Sequence, residues 1–124
     1  MITIQWTQQE YYFYRGTEQS PVRLDDLTPV DWLAGSLGFC IMKTLGQLMS
    51  RDQVEPKEYQ ISVNTKKAEQ APSRIESFTV DIQLPMSFTD SYRKKLVKMA
   101  ERACTVGNTL QQGADIFLNE GEGG

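Results

Sequence analysis

A chain of 124 residues, 40% hydrophobic and 23% charged, has the composition of one globular domain, of a size that buries about two-thirds of its unfolded surface. Its formal net charge of −3 argues against nucleic acid or an anionic membrane as partner. The absence of histidine excludes Ser-His-Asp, Cys-His and His-rich zinc chemistry, and two cysteines are too few for a zinc knuckle or an iron–sulfur cluster.

Ile2, Ile4 and Trp6 alternate with Thr3, Gln5 and Thr7, the period of a half-buried strand. After the polar break Gln8-Gln9-Glu10, the run Tyr11-Tyr12-Phe13-Tyr14-Arg15 is aromatic and β-prone, so a hairpin is expected. Its aromatics read as a sheet face packed on helices; a base-stacking platform would need a basic surround that is missing. Residues 16–26 form a turn-rich connection in which Pro21 to Leu24 allows a short strand.

Residues 28–50 are expected to form a long helix. Thr28 is a natural N-cap, Pro29 suits the first helical position, and Asp31 can complete a capping box. Val30, Leu33, Leu37, Cys40, Ile41, Thr44, Leu45 and Leu48 recur at helical spacing along one face. Gly35, Ser36, Gly38 and Gly46 oppose helix formation, each Gly by about 1 kcal/mol against Ala, so the helix is expected to be deeply buried with close neighbours on more than one side.

Alternation of Tyr59, Ile61 and Val63, then of Phe78, Val80, Ile82 and Leu84, predicts an antiparallel hairpin over 58–84. A second helical region spans 89–112, capped by Thr89, with Tyr92, Leu96, Met99, Ala100 and Ala103 as its apolar stripe and Cys104 at or just after the last turn of its first part. Lys94, Lys95, Lys98 and Arg102 read as a solvated face favoured by the helix dipole. Residues 114–118 read as a final strand and 119–124 as an acidic tail. The layout is one α+β domain over 1–124, with N-terminal strands in 1–27. No apolar run reaches membrane-spanning length and the N-terminus lacks the regions of a signal peptide, so a soluble, cytoplasmic protein is expected.

Each thiol, taken alone, reads either as a small buried hydrophobe or as half of a redox pair. In a reducing compartment a transient catalytic disulfide is allowed where a structural one is not. Spacing does not say whether positions 40 and 104 meet.

Two motifs carry a resemblance. Thr28-Pro29-Val30-Asp31-Trp32-Leu33-Ala34-Gly35-Ser36-Leu37-Gly38-Phe39-Cys40 resembles the Pro-x-Glu-Leu-Leu…Gly-x-Cys signature of the OsmC/Ohr family (osmotically inducible protein C-like, organic hydroperoxide resistance-like). Ala100-Glu101-Arg102-Ala103-Cys104-Thr105-Val106-Gly107-Asn108-Thr109-Leu110 resembles its second motif, Ala-x-x-Cys-x-Val-x-x-x-Leu. The resemblance covers the chain from Thr28 onward, while the N-terminal third is shorter than is usual in the family and aspartate replaces the usual glutamate.

The resemblance implies an OsmC-like fold of antiparallel sheets around a long buried central helix, in an intertwined homodimer with active sites at the subunit interface. It implies a thiol-dependent peroxidase for small organic hydroperoxides, with Cys40 as the peroxidatic thiol, Cys104 as the resolving thiol and a dithiol as reductant. No metal, flavin or haem is implied. A free cysteine near pKa 8.5 is only a few per cent thiolate at neutral pH. Cys40 lies about 16 Å from the helix start, beyond help from its dipole, so Arg or Lys must supply the activating charge.

In the family an arginine of the N-terminal sheet and the motif carboxylate do this together. Arg15 is the chosen arginine here, Arg23 the alternative, and Asp31 the carboxylate. Asp31 precedes Cys40 by nine residues, so on one regular helix the two point to opposite sides about 13 Å apart. Asp31 can then serve only the partner subunit's site, or act through the arginine. Leu37, Phe39, Ile41 and Met42 are candidates for an apolar substrate pocket, or plain core. The alternative function is a non-catalytic dimeric binding or stress-response protein with packing cysteines.

Overall fold

Ile2 and Ile4 face one side of strand β1 (Ile2–Thr7), Thr3 and Gln5 the other, and the whole sheet follows that alternation in a computed structural model that describes residues 1–121. β2 (Glu10–Arg15), β3 (Glu58–Lys67) and β4 (Ile75–Gln83) join β1 in one antiparallel sheet of order β2-β1-β3-β4. Register puts Phe13, Ile4, Ile61 and Ile82 in one inward row, and Arg15, Ile2, Val63 and Val80 in the next. The outer face is polar and bonded to itself, with Thr3 to Ser62 and Gln5 to Gln60 side-chain hydrogen bonds of 3.0 Å.

Helix α1 (Pro29–Arg51) lies on the inward face against β1 and β3. Its start is as expected: Thr28 Oγ1 accepts the Asp31 N–H and Asp31 Oδ2 accepts the Thr28 N–H, both at 3.1 Å. The small residues are explained by the sheet side alone. A Cβ on Gly38 would lie 2.9 Å from Ile4 Cδ1 and 3.1 Å from Val63 Cγ2, and one on Gly46 would lie 3.1 Å from the Tyr59 hydroxyl, which donates to the Met42 carbonyl at 3.2 Å.

Two helices pack on α1 from elsewhere along its surface. α2 (Asp90–Ala103) is capped by Thr89 and buries Leu96 and Ala100, and α3 (Thr105–Gln112) follows after a break at Cys104. Tyr92 donates to Asp52 Oδ2 at 2.9 Å, tying α2 to the end of α1. No helix among the described residues is long and apolar enough to cross a membrane.

The structure corrects two expectations and bears out a third. Residues 21–24 make no strand: Leu24–Asp26 is a single 3-10 turn, and Val22 has only one ladder-like bond, to the Phe13 carbonyl at 2.7 Å. Residues 114–118 make no strand either. They leave Ile116, Phe117 and Leu118 exposed by 83%, 81% and 94%, because a strand exists only by pairing and this segment meets no sheet edge in its own chain. α1 has the expected neighbours on more than one side, the sheet on one and α2 and α3 on another, which leaves Val30, Trp32 and Leu33 of its first turns uncovered.

Two outcomes follow from this packing. Gly38→Ala gains about 1 kcal/mol in helix propensity, yet Ile4 and Val63 are fully buried and cannot swing away. Overpacking of about 1–3 kcal/mol should prevail, seen as a lower urea midpoint with unchanged slope; a more stable variant would contradict the close approach. The Tyr92 hydroxyl holds the Asp52 carboxyl below its ordinary range. A depressed carboxyl stabilises the fold above its unfolded pKa, and that contribution is lost as pH falls through the lower folded value. Tyr92→Phe should therefore be less stable than the parent at pH 7, with the gap narrowing below about pH 4. A gap independent of pH would show that the bond does not act through this carboxylate.

Candidate active site

α1 carries Cys40 in its middle and α2 delivers Cys104 at its end, and the fold brings these two residues, 64 positions apart, against each other. Both are free thiols. Cys104 is 2% exposed and belongs to the core, while Cys40 is only partly buried and packs on that core from its edge. Burial pushes the Cys104 thiol up, and the neighbouring Cys40 thiol pushes it further. The amides of Gly107 and Val106 pull the other way without prevailing.

The local backbone explains that opposition. Cys104 is extended (φ −74°, ψ 110°), so α2 stops there and α3 starts, and its Sγ takes the N-cap role by accepting the Gly107 N–H at 3.3 Å. A Cβ on Gly107 would lie 3.4 Å from that sulfur and 3.6 Å from Leu37 Cδ1, ordinary van der Waals contact that shows the first turn of α3 packed on the thiol. The sequence signal was available, since Cys104 directly precedes a helical run, the position where a side chain caps.

The second pair of expected site residues also meets, but elsewhere. Arg15 ends β2 in the inward row of Ile2, which aims it at the start of α1. There Nη1 donates to the Asp26 carbonyl at 2.7 Å and lies 3.7 Å from Asp31 Oδ2, while Nη2 is 3.3 Å from Glu18 Oε1. Asp31 is thus both helix cap and partner of Arg15. Being nine residues before Cys40 on a continuous helix, it sits about 13 Å from it along the axis and on the opposite side. Arg23 is 80% exposed and pairs only with Asp25, at 3.5 Å. A cation the sequence reading passed over, Lys43, follows Cys40 by three residues on α1, and its Nζ lies over the Tyr11 and Phe39 rings at 5.7 and 6.0 Å.

Beside Cys104 is a cavity of about 680 Å³ between the sheet and the helices, whose wall does not include Cys40. Leu37, Ile41, Phe78, Val80 and Leu110 line it, and Cys104 forms part of its wall. Of the four residues read as a possible pocket, Leu37 and Ile41 are there. Met42 is fully buried in the core, and Phe39 stacks with Tyr11 and Phe13 on another side of the helix at ring distances of 5.0 and 5.7 Å. Among the described residues no group of Cys, Asp and Glu is arranged to hold a metal ion.

The sequence model of the family described as OsmC-like protein matches residues 23–119. Among solved structures, an OsmC-like hydroperoxide resistance protein from Jannaschia sp. CCS1 is similar, with a TM-score of 0.58 at 17% identity over 93% of this chain and 88% of its own. An OsmC like protein from Mycoplasma pneumoniae reaches a TM-score of 0.62 at 11% identity over 90% and 86%. Identities this low carry the fold and no more. No curated protein matches the chain.

The two thiols should differ in reactivity. In a brief iodoacetamide pulse near neutral pH, Cys40 should be alkylated about tenfold faster than Cys104, read from the two cysteine peptides by mass spectrometry. Equal labelling in the folded protein would contradict the burial and raised pKa of Cys104.

Proposed function

The chain belongs to the OsmC-like protein family, and from that premise we propose that it is a cysteine-based peroxidase reducing small organic hydroperoxides to alcohols. The observation that carries this reading is the meeting of its only two cysteines, one partly open and one buried. Two thiols that lie near each other are what a resolving step needs.

The steps assign each thiol by access and acidity. Cys40 attacks as thiolate on the distal oxygen of the hydroperoxide. An S–O bond forms, the O–O bond breaks, and the alkoxide leaves as alcohol after taking a proton. The resulting sulfenic acid meets Cys104, whose sulfur displaces the hydroxyl; an S–S bond forms, and water leaves with the Cys104 proton. A dithiol then returns the pair to thiols. Leu37 and Ile41 on the cavity wall suit an apolar organic group better than a bare peroxide. Regeneration requires a reducing compartment, in keeping with a cytoplasmic location.

The protein acts as a homodimer with its sites at the interface. The support is the uncovered apolar stripe of α1, Val30 and Leu33, together with Ile116, Phe117 and Leu118 of the extended tail. Burial of the three tail side chains is worth about 1.5–3 kcal/mol each, and of the half-buried Val30 and Leu33 less, against an association cost of about 4–15 kcal/mol. In this reading Arg15 and Asp31 act on the partner subunit's Cys40 rather than on their own, which their distance from Cys40 along α1 supports. The other reading is a non-catalytic dimeric stress-response or binding protein, favoured by the separation of Arg15 from Cys40 within one chain.

Turnover of cumene hydroperoxide with excess dithiothreitol tests the reading. The parent should turn over many times; Cys40→Ser should fall to background, and a protein without peroxide consumption above background would be the non-catalytic member. Arg15→Ala should lose about tenfold or more in rate. Mixing Arg15→Ala with Cys40→Ser subunits should restore about a quarter of parental activity, because each mixed dimer keeps one complete site. No restoration in verified mixed dimers would place Arg15 outside the partner's site.

A further inference from the structure

The geometry points to a direction for the regenerating step: we propose that the reducing thiol attacks the sulfur of Cys40, and that Cys104 departs as thiolate into the Gly107 N–H at the first turn of α3. This rests on the peroxidase reading only in taking a Cys40–Cys104 disulfide as the oxidised state.

Thiol–disulfide exchange chooses its sulfur by access and by the quality of the leaving thiolate. Access favours Cys40, which is partly open, over Cys104, which is 2% exposed. Burial works against Cys104 as a leaving thiolate, and a backbone donor that Cys40 lacks offsets part of that cost. Attack on Cys40 expels Cys104, whose sulfur already accepts the Gly107 N–H at 3.3 Å and sits where the first amides of a helix have no carbonyl partner. Attack on Cys104 would expel Cys40 instead. Cys40 lies in the middle of α1, where the backbone amides are taken up by the helix's own ladder, so no amide is free to receive its charge.

The step balances as follows. The thiolate of a small dithiol attacks Cys40 Sγ, the Cys40–Cys104 bond breaks, and its electron pair leaves on Cys104 Sγ. The products are a mixed disulfide between Cys40 and the reductant and a Cys104 thiolate bonded to the Gly107 N–H. The reductant's second thiol then attacks its own sulfur in the mixed disulfide, expelling the Cys40 thiolate as a cyclic disulfide forms. Cys104 takes up a proton from water, and the cap is restored. Gly107 serves this step through its amide.

The test forms the disulfide in the whole protein with diamide, so it does not depend on hydroperoxide chemistry. A brief pulse of β-mercaptoethanol, quenched in acid, leaves the mixed disulfide on one cysteine. Tryptic peptides 24–43 and 103–124 carry Cys40 and Cys104 separately. The adduct should lie on Cys40 in about tenfold excess; an adduct shared equally, or found mainly on Cys104, overturns the proposal. In a chain ligated at Cys104 with an ester in place of the Val106–Gly107 amide, opening should slow about three- to tenfold, since the leaving thiolate loses its donor. An unchanged rate would remove Gly107 from the step. The mapping uses the unaltered protein, so it decides even if the ester chain folds poorly. Inertness toward hydroperoxide would sink the peroxidase reading while leaving both results interpretable.

Discussion

The thiol pair exists because α1 lies unusually close to the sheet. Gly38 lets the helix backbone rest on Ile4, Ile61 and Val63, at distances where any Cβ would collide. That contact fixes both the depth and the rotation of α1. With Ala34, Leu45, Met42 and Met49 turned to the sheet, helical periodicity leaves Leu37, Ile41 and Cys40 facing round toward α2 and α3. The Tyr92–Asp52 bond and the burial of Leu96 and Ala100 hold α2 in place, so its end falls beside Cys40. One glycine and one tyrosine therefore help set where the two cysteines lie.

The chain holds two side-chain pairs apart. Cys40 and Cys104 form one, Arg15 and Asp31 the other, and the length of α1 between residues 31 and 40 separates them. A cysteine that far from its helix N-terminus gains nothing from the dipole of its own helix, which acts within about one turn. Cys104 is the opposite case. It sits on a helix N-terminus yet stays a reluctant acid, because burial outweighs two amides. A buried, reluctant thiol of this kind is the less suited of the two to make the first attack on an oxidant in solution. The open apolar stripe and tail supply the reason a second copy would bring the two pairs together.

Much of this was legible in the residues. Strict alternation marked Ile2 to Trp6 and Phe78 to Leu84 as strands, and Thr28-Pro29-Val30-Asp31 announced both the start of α1 and its capping box, since these are local rules the tertiary fold had no cause to override. The thiol partnership was not legible, because spacing along a chain carries no distance in space; the family motifs alone suggested it. Residues 114–118 misled for a related reason. Their apolar run has strand character, but pairing needs an edge, and no edge is recorded in a segment's own sequence. The small residues of α1 were correctly read as a sign of close approach, though only the sheet side required it.

The account stands or falls on whether one hydroperoxide molecule consumes both thiols. Intact mass and free-thiol titration of reduced protein, before and after one equivalent of cumene hydroperoxide, measure this directly. The account predicts loss of both thiols and about 2 Da per chain, with a trappable sulfenic acid on Cys40 only when Cys104 is replaced by Ser. Two thiols that survive excess hydroperoxide in the folded protein would contradict it.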